Sequence, residues 1–147
     1  MQKKIQTILK RLLQLHPKSV DLSLDRIKRL LKDLKNPENK IGNLIQVVGT
    51  NSKHSLIVSA REIFETAGYT CNVNISPSLL KFNERYYFSG KYISDDDLYS
   101  LLAEVEKINR NQSISFHEII TAAWILHASR NKSDINIVEA GALFRLD

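Results

Sequence analysis

Residues 44–55 read Leu44-Ile45-Gln46-Val47-Val48-Gly49-Thr50-Asn51-Ser52-Lys53-His54-Ser55. The apolar half of this run predicts a β-strand buried on both faces, as in a parallel sheet. The polar half is a short turn with a lysine, and the chain that follows has helical spacing. A strand, a tight turn and a helix N-terminus bring together backbone N–H groups, a helix dipole and an ammonium group. The stretch therefore predicts an α/β fold with an anion site at this turn.

The remaining chain continues the alternation of strands and helices. Helices are predicted over about 5–15, 23–35, 53–67, 95–108 and 116–129, and further strands over 69–75 and 135–138. A hairpin signal surrounds Ser89-Gly90, and Gly68 is placed as a helix stop. The apolar stripe expected to face the core of the 53–67 helix comprises Leu56, Ala60, Ile63, Phe64 and Ala67. The predicted architecture is the N-terminal portion of a P-loop-type parallel sheet flanked by helices, with the sheet incomplete.

Composition places the chain among single globular domains. It has 147 residues, of which 43% are hydrophobic and 25% are charged. No apolar run approaches the ~20 residues that a membrane-spanning helix needs. The single cysteine, Cys71, leaves no internal disulfide and suits a reducing compartment, so a cytoplasmic location is expected.

The positive charge is concentrated at one end of the chain. Residues 1–40 carry 11 lysines and arginines against 4 acids, a charge of +7, although the whole chain carries only +5. Such a segment attracts phosphates, nucleic acid or anionic membranes, or forms a solvated helix face. It lacks the interleaved aromatic side chains of nucleic-acid-binding surfaces, so neither a nucleic acid nor a membrane is expected as partner. Its acid-free start resembles a transit peptide only weakly, because it has few arginines and serines.

Two further residues stand where ligands bind in open α/β sheets, beyond the carboxyl ends of strands. Ser76 begins the turn Ser76-Pro77-Ser78 after the second strand, and Glu139 ends the third. A carboxylate near a phosphate loop is suited to hold Mg²⁺. Each candidate also has a purely structural interpretation: Lys53 as a surface lysine, Glu139 in a cap or ion pair, Ser76 as a turn residue, and Phe116 and His117 as packed side chains.

Five segments, in order, resemble those of the folylpolyglutamate synthase/dihydrofolate synthase family of Mur-type ATP-dependent ligases. The first reads Leu15-His16-Pro17-Lys18-Ser19-Val20-Asp21-Leu22-Ser23-Leu24-Asp25-Arg26, and the second is Gly49 through Ser55, similar to the family's GTNGKGS loop. The third joins Ser76-Pro77-Ser78-Leu79, which matches an SPHL turn, to Lys81-Phe82-Asn83-Glu84-Arg85. The last two are Ile114-Ser115-Phe116-His117-Glu118 and Glu139 to Asp147.

This resemblance implies a ligase of folate biosynthesis and one-carbon metabolism that uses ATP and Mg²⁺. ATP phosphorylates a carboxylate of folate (dihydropteroate or tetrahydrofolate), and the amine of L-glutamate then displaces phosphate. By position, the implied nucleotide-binding residues are Gly49, Thr50, Asn51, Ser52, Lys53, His54 and Ser55, with Lys53 also the catalytic residue. The implied metal ligands are Ser76 and Glu139. The implied folate-binding residues are Val20, Asp21, Leu22, Phe116, His117 and Leu146.

The chain departs from the family pattern at several positions. Ser52 and His54 stand where the family loop has glycines, Ser78 replaces a histidine, and Leu143 and Phe144 replace a glycine pair. The family's later metal-binding residues, adenine site and C-terminal domain have no counterpart. We therefore expect residues 1–147 to form a single truncated ATP-binding domain of the Mur ligase central type, with 1–40 as an N-terminal helical segment. The alternative is a noncatalytic nucleotide-binding or interaction module that needs a partner chain supplying the missing half.

Overall fold

The computed structural model describes residues 1–16 and 23–141 and contains two compact units. Of the described residues, the helical unit comprises Met1–Lys40 and Ser94–His127, and the sheet unit comprises Ile41–Ile93 and residues 128–141. Among the described residues, no helix is both long enough and apolar enough to cross a membrane.

The helical unit is built on α1 (Gln2–Gln14), α2 (Asp25–Asp33), α4 (Asp95–Asn109) and most of α5 (Phe116–Arg130). Helices α1 and α4 run side by side in the same direction, since Gln2 Nε2 donates to Asp95 Oδ1 at 2.6 Å and Arg11 pairs with Glu106 at 2.7 Å. The helices predicted over about 5–15 and 95–108 are confirmed as α1 and α4. The buried apolar residues of these two helices are Ile5, Ile8, Leu9, Leu12, Leu98, Leu101, Leu102 and Val105.

The sheet unit contains β1 (Asn43–Val47), α3 (Lys53–Thr66), β2 (Cys71–Asn74), β3 (Tyr86–Phe88), β4 (Lys91–Tyr92) and β5 (Ile135–Glu139). The strand order is β1-β5-β2-β3-β4. Strands β1, β5 and β2 are parallel, and the β3–β4 hairpin adds an antiparallel edge next to β2. The predicted α/β fold with an incomplete sheet is confirmed. Its core cluster comprises Val47, Ile57, Cys71, Val73, Ile75, Ile135 and Ile137.

Strand β1 corrects the prediction of a strand buried on both faces. It lies at the edge of the sheet, and only Val47 of its five residues is buried, while Leu44, Ile45 and Val48 are exposed. An edge strand has a neighbour on one side only, so its apolar side chains remain exposed unless something else covers them.

Helix α3 forms as predicted, but its buried face differs from the predicted stripe. Ile57 is buried, whereas Leu56 and Ile63 are 58% and 68% exposed. Ala60 and Phe64 pack partly against the sheet core. Gly68 ends the helix with φ +90°, as predicted for a C-terminal glycine.

Candidate nucleotide-phosphate site

The turn between β1 and α3 has an open helix N-terminus. Ser52 precedes α3 in the left-handed conformation, with φ 63° and ψ 9°, and its side chain makes no capping hydrogen bond. Gly49 has φ +157°, which L side chains rarely adopt. The first turn of α3 contains no acidic residue. In the part of the chain that the structure describes, Ser52 therefore does not cap the N–H groups at this helix start, and the positive end of the dipole has no carboxylate on the helix's own first turn.

Lys53 is the first residue of α3, and its side chain folds back over the turn. Its Nζ donates a 2.9 Å hydrogen bond to the carbonyl oxygen of Gly49. The same Nζ lies 3.7 Å from Oε1 of Glu139. The ammonium group thus lies at the turn, between the carbonyl oxygen of Gly49 after β1 and the carboxylate of Glu139 on the neighbouring strand β5.

Glu139 ends β5, directly beside the end of β1. Val47 and Glu139 are partners in the parallel register, and the N–H of Ala140 donates to the carbonyl oxygen of Val47 at 2.9 Å. The Glu139 side chain is only 6% exposed. Its Oε2 accepts a 2.8 Å hydrogen bond from the backbone N–H of Ser76. Three segments distant in sequence, around Lys53, Ser76 and Glu139, therefore meet at one carboxylate.

The donor set at this point is suited to a hard divalent cation that a nucleotide also binds. Glu139 supplies carboxylate oxygens and Ser76 a hydroxyl next to the amide that Glu139 accepts. Mg²⁺ is commonly held by one or two carboxylates, with phosphates and waters completing its octahedron. Within the described ranges no group of three or more His, Cys, Asp and Glu residues is arranged to hold a metal. Glu139 and Ser76 are therefore the candidate cation ligands in this part of the structure.

The loop of Ser76 is held by Glu84 and Arg85, which the resemblance included but to which no role was assigned. Glu84 accepts backbone N–H bonds from Leu79, Leu80 and Lys81 at 2.8–3.0 Å. These bonds, led by that of Leu80, hold the pKa of Glu84 below its usual range. Arg85 donates from Nε to the carbonyl oxygen of Ile75 at 3.2 Å. Burial lowers the pKa of Arg85, and attraction to Glu139 opposes that shift.

The other candidate residues fall into two groups. Thr50, Asn51, His54 and Ser55 lie exposed in the turn or first turn of α3. Phe116 and His117 are half-buried at the start of α5, in the helical unit. Val20, Asp21, Leu22, Leu143, Phe144 and Leu146 lie outside the described residues.

The start of α5 is tied to α2. Ser115 and Glu118 form a capping box, in which the Glu118 N–H donates to Ser115 Oγ at 3.2 Å and the Ser115 N–H donates to Glu118 Oε2 at 2.8 Å. Arg26 of α2 reaches the same Oε2 at 3.0 Å. This ion pair fixes the two elements that carry, or directly follow, the implied folate-binding residues.

Known proteins resemble this chain in sequence and in fold. No family model matches the chain. The dihydrofolate synthase/folylpolyglutamate synthase of Bacillus subtilis is 34% identical over 131 residues, which are 84% of this chain and 30% of the relative. The structure of Escherichia coli FolC in complex with DHPP and ADP superimposes with a TM-score of 0.88 at 27% identity, covering 97% of this chain and 34% of that one.

A second solved structure is a bifunctional folylpolyglutamate synthase/dihydrofolate synthase with Mn, AMPPNP and L-glutamate bound. It superimposes with a TM-score of 0.87 at 27% identity, again over 97% of this chain and 34% of that chain. The chain thus spans about a third of the length of the relatives that it matches. In sequence and in fold, it matches part of the folylpolyglutamate synthase/dihydrofolate synthase family.

Proposed function

We propose that this chain binds the phosphates of ATP with Mg²⁺ as the nucleotide-binding part of an ADP-forming ligase that adds L-glutamate to folate. The observation that carries the proposal is the meeting of Lys53, Ser76 and Glu139 at the mouth of the Gly49–Ser55 turn. The relatives include structures with ADP, with AMPPNP and with Mn. The strand–turn–lysine arrangement supports placing the chain with the P-loop and Mur-type ligases.

The roles follow from the chemistry of each group. Backbone N–H groups at the start of α3 and the ammonium of Lys53 would neutralise phosphate charge. Glu139 and Ser76 would hold Mg²⁺, which supplies further neutralisation of the phosphates and polarises the transferred phosphoryl group. Phe116 and His117, with Val20, Asp21, Leu22 and Leu146, are proposed to hold the pterin end of folate. Burial raises the pKa of Cys71 and leaves it a free thiol, which is compatible with the proposed cytoplasmic location.

Calorimetry with the purified chain tests this proposal. We expect ADP to bind in the presence of Mg²⁺ and to bind more weakly in EDTA, because the Glu139 carboxylate repels phosphate unless a cation lies between them. The absence of any heat at millimolar MgADP would refute a nucleotide site in this chain.

One observation favours a second candidate, a nucleotide-binding module that acts only with a partner chain. Strand β1 is an edge strand in which Leu44 and Ile45 are exposed, as is Val48 directly after it, and the chain matches only 30% of the Bacillus subtilis relative. An uncovered apolar edge strand pairs readily with another polypeptide. An assay of folate- and glutamate-dependent ADP release separates the candidates. Release by the chain alone supports the ligase, whereas release only after addition of the remaining two thirds of a relative, expressed separately, supports the module.

A further inference from the structure

We propose that Glu84 and Arg85 are positioning residues that hold the loop of Ser76 in place. By doing so, they maintain the gain in nucleotide affinity that Mg²⁺ provides. This inference rests on the proposed function for its metal step. Its structural step, the bracing of residues 75–81 by a pair of charged side chains, stands on the contacts alone.

Arg85 controls the first half of the loop. Ile75 follows β2 and is buried, so its backbone polar groups need partners within the protein. Its N–H donates to the carbonyl oxygen of Arg85 at 3.0 Å, and its carbonyl oxygen accepts from Arg85 Nε at 3.2 Å. The guanidinium also stacks over the Phe82 ring, 5.2 Å from its centre. One residue therefore satisfies both backbone groups of the residue that immediately precedes Ser76.

Glu84 controls the second half. Its Oε2 accepts from the N–H groups of Leu79 and Leu80 at 2.8 and 3.0 Å, and its Oε1 accepts from that of Lys81 at 3.0 Å. The side chains of Leu79 and Leu80 are 86% and 92% exposed. Apolar packing by these two residues thus contributes little to the loop's shape, which depends on a single carboxylate that accepts three consecutive N–H groups.

The two braces act on the metal-binding candidates through Ser76. Its N–H donates to Glu139 Oε2, and the other oxygen of Glu139 faces Lys53. Displacement of Ile75 would move the Ser76 amide and hydroxyl away from Glu139. The groups that orient metal ligands affect metal binding strongly, since their loss typically lowers metal affinity about 10- to 100-fold.

The test combines Glu84→Gln and Arg85→Met with two matched controls. Glu62→Gln changes an exposed carboxylate of α3, and Arg110→Met changes an exposed arginine at the end of α4. Hydrogen exchange at Leu79, Leu80 and Lys81 reports the loop without any ligand. The ratio of the ADP dissociation constants measured in EDTA and in Mg²⁺ reports the metal step.

We expect Glu84→Gln to accelerate exchange at the three amides and to lower the Mg²⁺-dependent gain in ADP affinity about tenfold. ADP affinity in EDTA and both controls should stay at wild-type values. Arg85→Met should reduce the same gain, and Arg85→Lys, which keeps a donor for Ile75, should retain more of it. If Arg85→Met does not fold, Glu84→Gln still tests the inference. This variant should fold, because Glu84 lies at the surface of its loop.

Unchanged exchange and an unchanged Mg²⁺-dependent gain in Glu84→Gln would overturn the inference. A wild-type chain that binds no MgADP would refute the proposed function and the metal step together. Exchange at residues 79–81 would then still decide whether Glu84 braces the loop, so the two failures are distinguishable.

Discussion

Helices α3 and α4 both begin after a serine, yet the two starts are built for different purposes. Ser94 is extended, with φ −68° and ψ 160°, and its hydroxyl accepts the Asp97 N–H at 3.1 Å. Three aspartates follow it and complement the helix dipole. Ser52 is left-handed, makes no side-chain cap, and is followed by Lys53 instead of acids. The start of α4 is capped by its own side chain, whereas Ser52 does not cap the start of α3, where we propose that the N–H groups bind phosphate.

The largest effect, on nucleotide affinity, is expected from Lys53→Met, which removes the ammonium group at the uncapped N-terminus of α3. A hydrogen bond from a charged group contributes about 1.5–3 kcal/mol, so MgADP affinity should fall roughly 10- to 100-fold in calorimetry. Lys91→Met on strand β4 serves as the control and should leave the affinity unchanged. Equal affinities for Lys53→Met and wild type would show that the turn is not the phosphate site.

A smaller effect, on stability, is expected from Ser94→Ala, which removes the side-chain cap at the N-terminus of α4. Loss of a serine N-cap typically costs about 1 kcal/mol, so the free energy of unfolding should fall by that amount in urea denaturation. MgADP affinity of the folded variant should not change. A loss of nucleotide affinity without a loss of stability would reverse the roles assigned to the two helix starts.

The smallest effect, and one of opposite sign, is expected from Ser52→Gly. Relief of the left-handed conformation is worth about 1–2 kcal/mol, and the greater freedom of unfolded glycine offsets roughly 0.5–1 kcal/mol of it. A net gain in unfolding free energy of about 0.5 kcal/mol should remain, measured by the same denaturation. Destabilisation by Ser52→Gly would mean that the serine side chain makes a contact at the turn that outweighs the strain.

Local signals in the sequence predicted most elements of the fold. The Gly68 helix stop and the Ser89-Gly90 hairpin are confirmed, because each depends on neighbouring residues only. The approach of Lys53 to Glu139 was also predictable from sequence, since both residues follow parallel strands and the carboxyl ends of such strands share one edge.

The wrong predictions concern the burial of β1 and the buried face of α3, which both depend on residues distant in sequence. An apolar strand is buried on both faces only if it lies inside the sheet, and the order that leaves β1 at the edge depends on β5, about 90 residues later. Similarly, the spacing of apolar residues in α3 is compatible with more than one buried face. Packing against the sheet buries Ile57 and leaves Leu56 and Ile63 exposed. The resemblance included Glu84 and Arg85, but their role was not predicted, because their partners are backbone groups of a loop without a regular pattern.

The most direct test of the phosphate site is a titration of the ¹⁵N-labelled chain with MgADP, monitored by amide resonances. We expect the largest shifts at Gly49–Ser55, Ser76 and Glu139, while the amides of Asp95–Asp97 at the capped start of α4 remain unchanged. Shifts concentrated at Asp95–Asp97, or no shifts at Gly49–Ser55 at saturating MgADP, would contradict the proposed phosphate site.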